Sequence, residues 1–299
     1  MSFARNTRFA IISLGTLVIA GCASLNVSLP SITDSPTGER LPGKIIWHDL
    51  LTNDPAASQR FYGELFGWEF EKIGEASNLR SNSAYTLIRH NGQLIGGMVD
   101  TVALNGRDDI SQWVALMAVE DIDARMKDVT GSGGEIVTPP TDLQARGRLA
   151  LVRDAEGALL GLLETRDGDP RDSEPAVGGF LWDELWTTDV PNAVAFYNTL
   201  VGLEAESVDI DGDEARNYSL LKAGDTPRGG VLPVPLEGLE PVWISYLRVE
   251  DPAARTAQVP DLGGRVIVKA QPRPLGGEVA LVAGPSGAGI ALQLSLIHI

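Results

Sequence analysis

"WHDLLTNDPAASQRFYGELFGW" runs from Trp47 to Trp68, and "WDELWTTDVPNAVAFYNTLVGL" runs from Trp182 to Leu203. The two align without a gap at an offset of 135 positions. They share Trp47/Trp182, Leu50/Leu185, Thr52/Thr187, Asp54/Asp189, Phe61/Phe196, Tyr62/Tyr197, Leu65/Leu200 and Gly67/Gly202, and Glu69/Glu204 follows. So many identities in one ungapped window mark a duplicated structural unit, and a repeat constrains everything read afterwards. One position breaks the match with consequence: His48 of the first copy is Asp183 in the second.

Each phrase reads as a strand followed by a helix. "KIIWHDLLT" is rich in β-branched and aromatic residues, as strands are. Asn53 or Asp54 can cap the following helix, Pro55 suits its first turn, and Gly67 suits its end. Ala57, Phe61 and Leu65 recur every four residues and form a stripe for packing on a sheet. Three strand-like segments follow, "WEFEKI", "AYTLIRH" and "QLIGGMVD", with a hairpin turn at Asn91-Gly92 between the last two. The same order returns with "WVALMAV", a helix capped by Asp121, "EIVTPP", "RLALVRD" and "LLGLLET". It returns again with "FLWDELWTT", "VPNAVAFYNTLVG", "YSLLKAG" and "RGGVLPV". A fourth round has "WISYLRV", a helix capped by Asp251, "GGRVIVKA", "EVALVAG" and "GIALQLS". Four such units in two pairs predict an α+β fold and not a doubly wound parallel sheet.

The ends of the chain read differently. Arg5 and Arg8 precede the apolar stretch Phe9–Ala20, which is shorter than the roughly 18–20 residues that span a membrane. Residues 1–21 therefore read as a signal peptide. The "IAGC" ending at Cys22 resembles the lipobox of bacterial lipoproteins. That resemblance implies lipidation of Cys22, a membrane partner through that lipid, and a place in the cell envelope. With Ala23 following, it implies the periplasmic face of the outer membrane where the host has one. Cys22 is the only cysteine, so no internal disulfide is available. Residues 22–42 read as a tether, 43–165 as a first domain, 166–177 as a linker and 178–295 as a second domain. A net charge of −16 argues against a nucleic-acid partner. A homo-oligomer is left open.

The repeated phrases, with "GGMVD", "GGVLPV" and the "VEDIDARMKDV…GG" and "VEDPAAR…GG" blocks, resemble the vicinal oxygen chelate proteins. These include glyoxalases, extradiol dioxygenases and bleomycin-binding proteins. The resemblance spans about Gly43 to Leu294. It implies two tandem glyoxalase-like domains, each of two β-α-β-β-β modules whose sheet curls into a cup. In metal-using members the cup holds a divalent metal on first- and last-strand side chains.

On that pattern His48 and Asp183 stand at the first-strand ligand position, six residues before Asp54 and Asp189. The partner positions hold Gly161 and Ala291 where carboxylates belong, and Val114 and Ile244 on the neighbouring strands. Only Asp100, at an edge, offers a further carboxylate. No cofactor is expected beyond a possible divalent metal, and His48 and Asp183 are the pocket candidates. By period-two alternation Asp49 and Glu184 are expected to point away from the cups. Tyr62 and Tyr197 read as core, His90 as a turn residue, and His298 has no role. No nucleophile context or phosphate loop is present; "GSGG" at Gly131–Gly134 is a connecting loop. The function expected is small-molecule binding in a metal-poor cup. The alternatives are a metal-dependent lyase or dioxygenase using His48, and a structural lipoprotein with filled cups.

Overall fold

The computed structural model describes residues 28–73, 85–105, 111–208, 218–273 and 276–294. The signal segment, Cys22, the start of the tether and His298 lie outside the described residues.

The first sheet contains β1 (Ile45–Thr52), β2 (Glu69–Lys72), β3 (Tyr85–His90) and β4 (Gln93–Asp100). It continues with β5 (Gln112–Ala118), β6 (Glu135–Asp142), β7 (Gly147–Arg153) and β8 (Leu159–Thr165). The second repeats the plan with β9 (Phe180–Thr187), β10 (Glu204–Val208), β11 (Tyr218–Ala223) and β12 (Thr226–Pro233). Its other half is β13 (Val242–Arg248), β14 (Arg265–Pro272), β15 (Glu278–Ala283) and β16 (Gly289–Gln293). The strand orders are β2-β3-β4-β1-β5-β8-β7-β6 and β10-β11-β12-β9-β13-β16-β15-β14, the same pattern twice. Within each sheet the first strands of the two modules pair antiparallel at the centre.

The helices are α1 (Pro55–Phe66), α2 (Thr101–Asn105), α3 (Ile122–Gly131), α4 (Val190–Val201) and α5 (Pro252–Gln258). Asp54, Asp121, Asp189 and Asp251 cap α1, α3, α4 and α5 by accepting a backbone N–H three residues on, at 2.8–3.0 Å. The short α2 was not foreseen. β10 fills the second-strand place that the β-α-β-β-β reading requires, but no segment was read for it, because Glu204–Ser207 are exposed at the sheet edge and carry no apolar alternation.

The two halves interlock. Phe61, Tyr62 and Leu65 of α1 share a core with Leu247, Val282 and Leu292 of the second sheet. Phe196, Tyr197 and Leu200 of α4 share one with Met117, Val152 and Leu162 of the first. The last turns are tied across in the same reciprocal way. Arg255 Nη1 donates to the Leu65 carbonyl (3.0 Å) and Arg125 Nη1 to the Leu200 carbonyl (2.9 Å), satisfying carbonyls that have no partner within the helix. Tyr62 and Tyr197 are core, as expected, and each accepts an indole N–H, from Trp113 (3.0 Å) and Trp243 (2.8 Å).

The tether reading needs correction over its described part. Leu29 and Ile32 are buried among residues of the first sheet's concave side. Full burial of such side chains stabilises by roughly 1.5–3 kcal/mol each. Further on, the Thr37 and Gly38 amides pair with the carbonyls of Asp169 and Asp167. The Leu41 amide donates to the Asp169 carboxylate at 2.6 Å. Composition hid this, because two apolar residues in a Ser/Pro-rich run have no period to betray them.

Candidate functional site

Along β1 the side chains of Trp47 and Leu51 fall in the core of the concave side, while Leu50 falls in the core behind the sheet. A cavity of about 30 Å³ lies on the concave side, lined by Leu29, Asp49, Tyr85, Val114, Leu116 and Arg146 among others. That volume holds about one or two water molecules. The alternation read from the sequence is therefore present, but the assignment of faces is reversed. Asp49 lines the cup, and His48 points out of its back.

The polar floor of this cup is one connected chain. Asp49 Oδ1 accepts from Trp47 Nε1 (2.9 Å) and from the Tyr85 hydroxyl (2.6 Å). The Tyr85 oxygen in turn accepts from Arg146 Nη1 at 2.5 Å. The guanidinium lies over the Trp47 ring, 4.6 Å from its centroid. Burial pushes the Asp49 carboxyl above its ordinary range, against the opposing pull of Arg146 and of the Tyr85 and Trp47 hydrogen bonds. Burial likewise raises the Tyr85 hydroxyl.

Gly97 makes this possible. A Cβ there would stand 1.9 Å from the Tyr85 hydroxyl and 2.4 Å from Asp49 Oδ1. The second glycine of "GGMVD" is thus a requirement of the floor. Gly230 stands in the same relation to the Tyr218 hydroxyl, also 1.9 Å.

The second cup has the equivalent parts in a tighter arrangement. Glu184 is fully buried, paired with Arg273 and accepting from Tyr246. Arg273 Nη1 also donates to Gln293 Oε1 at 2.6 Å, and Trp182 Nε1 donates to the Tyr218 hydroxyl at 2.8 Å. Glu184 carries one methylene more than Asp49 and so reaches its arginine directly. The shorter Asp49 contacts Arg146 through Tyr85. One consequence is chemical: Arg146 Nη2 is buried with no acceptor among the described residues.

His48 and Asp183 are brought together, but not in a cup. His48 Nε2 lies 2.9 and 3.1 Å from the two Asp183 oxygens, and Asp183 Oδ1 also accepts from Ser245 Oγ at 2.7 Å. Phe180 stacks on the imidazole with centroids 3.7 Å apart. The pair fastens the junction between the sheets. Asp100 accepts from the Ala103 amide at 2.9 Å in the first turn of α2. Val114 lines the first cup, Gly161 packs there against Leu116, and Ile244 and Ala291 belong to the second cup's apolar core, as expected for cup-facing positions. His90 Nε2 pairs with the Val177 carbonyl at 2.7 Å.

Sequence reading missed Tyr85, Tyr218, Arg146 and Arg273. Their signal was the recurrence of a tyrosine at the head of the third strand of alternate units, and of an arginine in the β6–β7 and β14–β15 connections.

Residues 44–162 match the family described as Glyoxalase/Bleomycin resistance protein/Dioxygenase superfamily. "Putative glyoxylase CFP32" of Mycobacterium tuberculosis is 32% identical over 244 residues, 81% of this chain and 91% of that protein. The chain belongs to this superfamily. A second relative, "Anthracycline biosynthesis protein DnrV" of Streptomyces peucetius, is 28% identical over 263 residues, 84% of this chain and 93% of that one. The Mn(II)-bound glyoxalase from Novosphingobium aromaticivorans superposes with a TM-score of 0.57 at 16% identity, covering 86% of this chain and 83% of that one. A 2,2',3-trihydroxybiphenyl 1,2-dioxygenase from Sphingomonas wittichii gives 0.55 at 14%, covering 85% and 91%. At such identities the likeness is one of fold.

A divalent metal such as the Mn(II) of the Novosphingobium glyoxalase does not fit the side chains present here. Among the described residues no group of three or more His, Cys, Asp or Glu converges. Among the described residues each cup offers one carboxylate, already bonded to its neighbours and sharing the site with a buried guanidinium. Two cations would then compete for one anion. Catalytic zinc, by contrast, takes three protein ligands.

Proposed function

We propose that this superfamily member is a lipid-anchored binding protein of the cell envelope. It takes a small oxygen-bearing molecule in its first cup, on an arginine in place of a metal. The observation that carries this reading is Arg146 Nη2, a buried charged donor with no acceptor among the described residues, on a side chain that lines the cavity. A buried donor without a partner costs about 1–3 kcal/mol, which a ligand oxygen recovers on binding. Stacking on Trp47 and the bond to Tyr85 hold the guanidinium in place beforehand. The second cup, whose arginine is already paired, serves as a structural counterpart. The anchor is supported by the "IAGC" at Cys22.

The test is calorimetry on the full-length protein purified from membranes in detergent, against small carboxylates, carbonyl compounds and diols. The reading expects a binder whose affinity falls about tenfold or more (about 1.4 kcal/mol) in Arg146→Gln and is unchanged in His48→Ala. Binding or turnover that depends on His48 together with a retained metal would favour a lyase or dioxygenase instead. Cys22→Ala is expected to release the protein into the soluble fraction; retention in the membrane would refute the anchor.

A third reading, a structural lipoprotein with filled cups, draws on Leu29 and Ile32 in the first cup. It expects no ligand in the panel to respond to Arg146.

A further inference from the structure

The filling of the first cup carries information about its ligand. Leu29 and Ile32 occupy the apolar wall formed with Val99, Val114, Leu149 and Leu151. Between them the Pro30 carbonyl accepts from Arg146 Nε at 3.2 Å. Nε and Nη2 share one edge of a guanidinium, the edge that receives a carboxylate side-on through two parallel hydrogen bonds. Here a single carbonyl oxygen satisfies Nε, while Nη2 on the same edge has no acceptor among the described residues. The segment therefore gives the cup aliphatic groups and one oxygen where the arginine presents donors for two.

We propose that residues 29–32 are an internal stand-in for a monocarboxylate with an aliphatic tail, and that such a ligand binds the first cup by displacing them. This rests on the reading that the first cup is a ligand site, and it names the ligand class. The carboxylate spans Nε and Nη2, and the tail takes the wall vacated by Leu29 and Ile32. The remaining cavity of about 30 Å³ admits no such tail while the segment is seated, so displacement is obligatory. Beyond the cup the chain is held at Thr37, Gly38 and Leu41, which lets residues 29–32 leave without disturbing the sheet. Cys22 precedes Ser28 by six residues, a span of at most roughly 20 Å. Lipidation there would keep the cup within reach of a bilayer as well as of the aqueous phase.

The experiment uses full-length protein in detergent, with decanoate as probe and decanol as the control lacking the carboxylate. Decanoate is expected to bind and, at saturation, to speed amide exchange at Leu29, Ser31 and Ile32. Leu29→Ser/Ile32→Ser is expected to tighten decanoate about tenfold, the factor for a segment seated nine-tenths of the time. Adding Arg146→Gln to that variant is expected to cost about tenfold, while decanol binding stays weak and indifferent to Arg146. Decanoate binding to the wild-type chain without faster exchange in the segment would overturn the proposal, as would equal binding of decanol. These wild-type measurements decide the matter even if a variant misfolds. Should another oxygen-bearing ligand bind through Arg146 while decanoate does not, the carboxylate inference falls and the ligand site stands. Should nothing depend on Arg146, both fall. Displacement by oleate carried in phosphatidylcholine vesicles marks the bilayer as the source; displacement by free decanoate alone marks solution.

Discussion

His48 Nε2 lies 2.9 Å from Asp183 Oδ1, and the two residues occupy the same position in the two copies of the repeat. Equivalent residues of a two-fold arrangement touch only where the axis passes between them. β5 and β13, also equivalents, pack on each other nearby. In a strictly symmetric pair this site would hold two imidazoles or two carboxylates. Duplication within one chain allows one of each, which accounts for a histidine kept in only one copy.

The pair is a fastening, and its loss should register in stability. His48→Ala leaves Asp183 buried with Ser245 and is expected to cost about 3 kcal/mol in urea unfolding. A double-mutant cycle with Asp183→Ala should show strong coupling. A cost below that of an ordinary surface substitution, about 0.5 kcal/mol, would show the contact to be idle.

Gly97→Ala should cost about 1–3 kcal/mol, because its methyl group would displace the Tyr85 hydroxyl from Asp49. Tyr85→Phe removes that oxygen, so the double variant should lose less than the two single costs added together. Strict additivity in thermal unfolding would contradict the proposed crowding.

Asp49 supplies a pH signature. Its folded-state value is raised above the ordinary 3.8 by burial. The folded protein therefore holds this proton where the unfolded chain has released it, and stability falls as pH rises from about 3.8 through the folded value. Asp49→Asn keeps an acceptor for Trp47 and Tyr85 but has no proton to lose. Its stability curve should be flatter over that window and higher at neutral pH. A steeper alkaline-side loss in the variant, measured by thermal melts across pH, would reverse the sign.

Metal affinity is the fourth expectation. Mn(II) should bind the wild-type chain no more tightly than Asp49→Ala, since one carboxylate beside a guanidinium makes a poor cation site. Near-stoichiometric Mn(II) surviving dialysis, and lost in Asp49→Ala or His48→Ala, would refute this.

Much of the fold was legible because it is written in periodic features. The Asp54, Asp121, Asp189 and Asp251 caps and the alternating strands announce themselves locally. The site was not, for two reasons. Alternation separates His48 from Asp49 but does not say which face curls inward; that depends on what each sheet packs against, here the other half of the chain. The floor also joins residues distant in sequence, such as Asp49, Tyr85 and Arg146, and only pairing of β1 with β4 through Gly97 brings them together. Leu29 and Ile32 were invisible because two apolar residues in a polar run look like nothing until a cavity receives them.

The packing of α1 and α4 between their own sheet and the other half makes each half an incomplete object. Severed at the exposed stretch 171–174, the chain would yield two fragments, each with a bare apolar back that only the other fits. They should stay associated after a cut and reassemble by complementation when expressed separately. Fission of the gene at this point would then give an obligate heterodimer with its register already set, by a histidine on one subunit and an aspartate on the other.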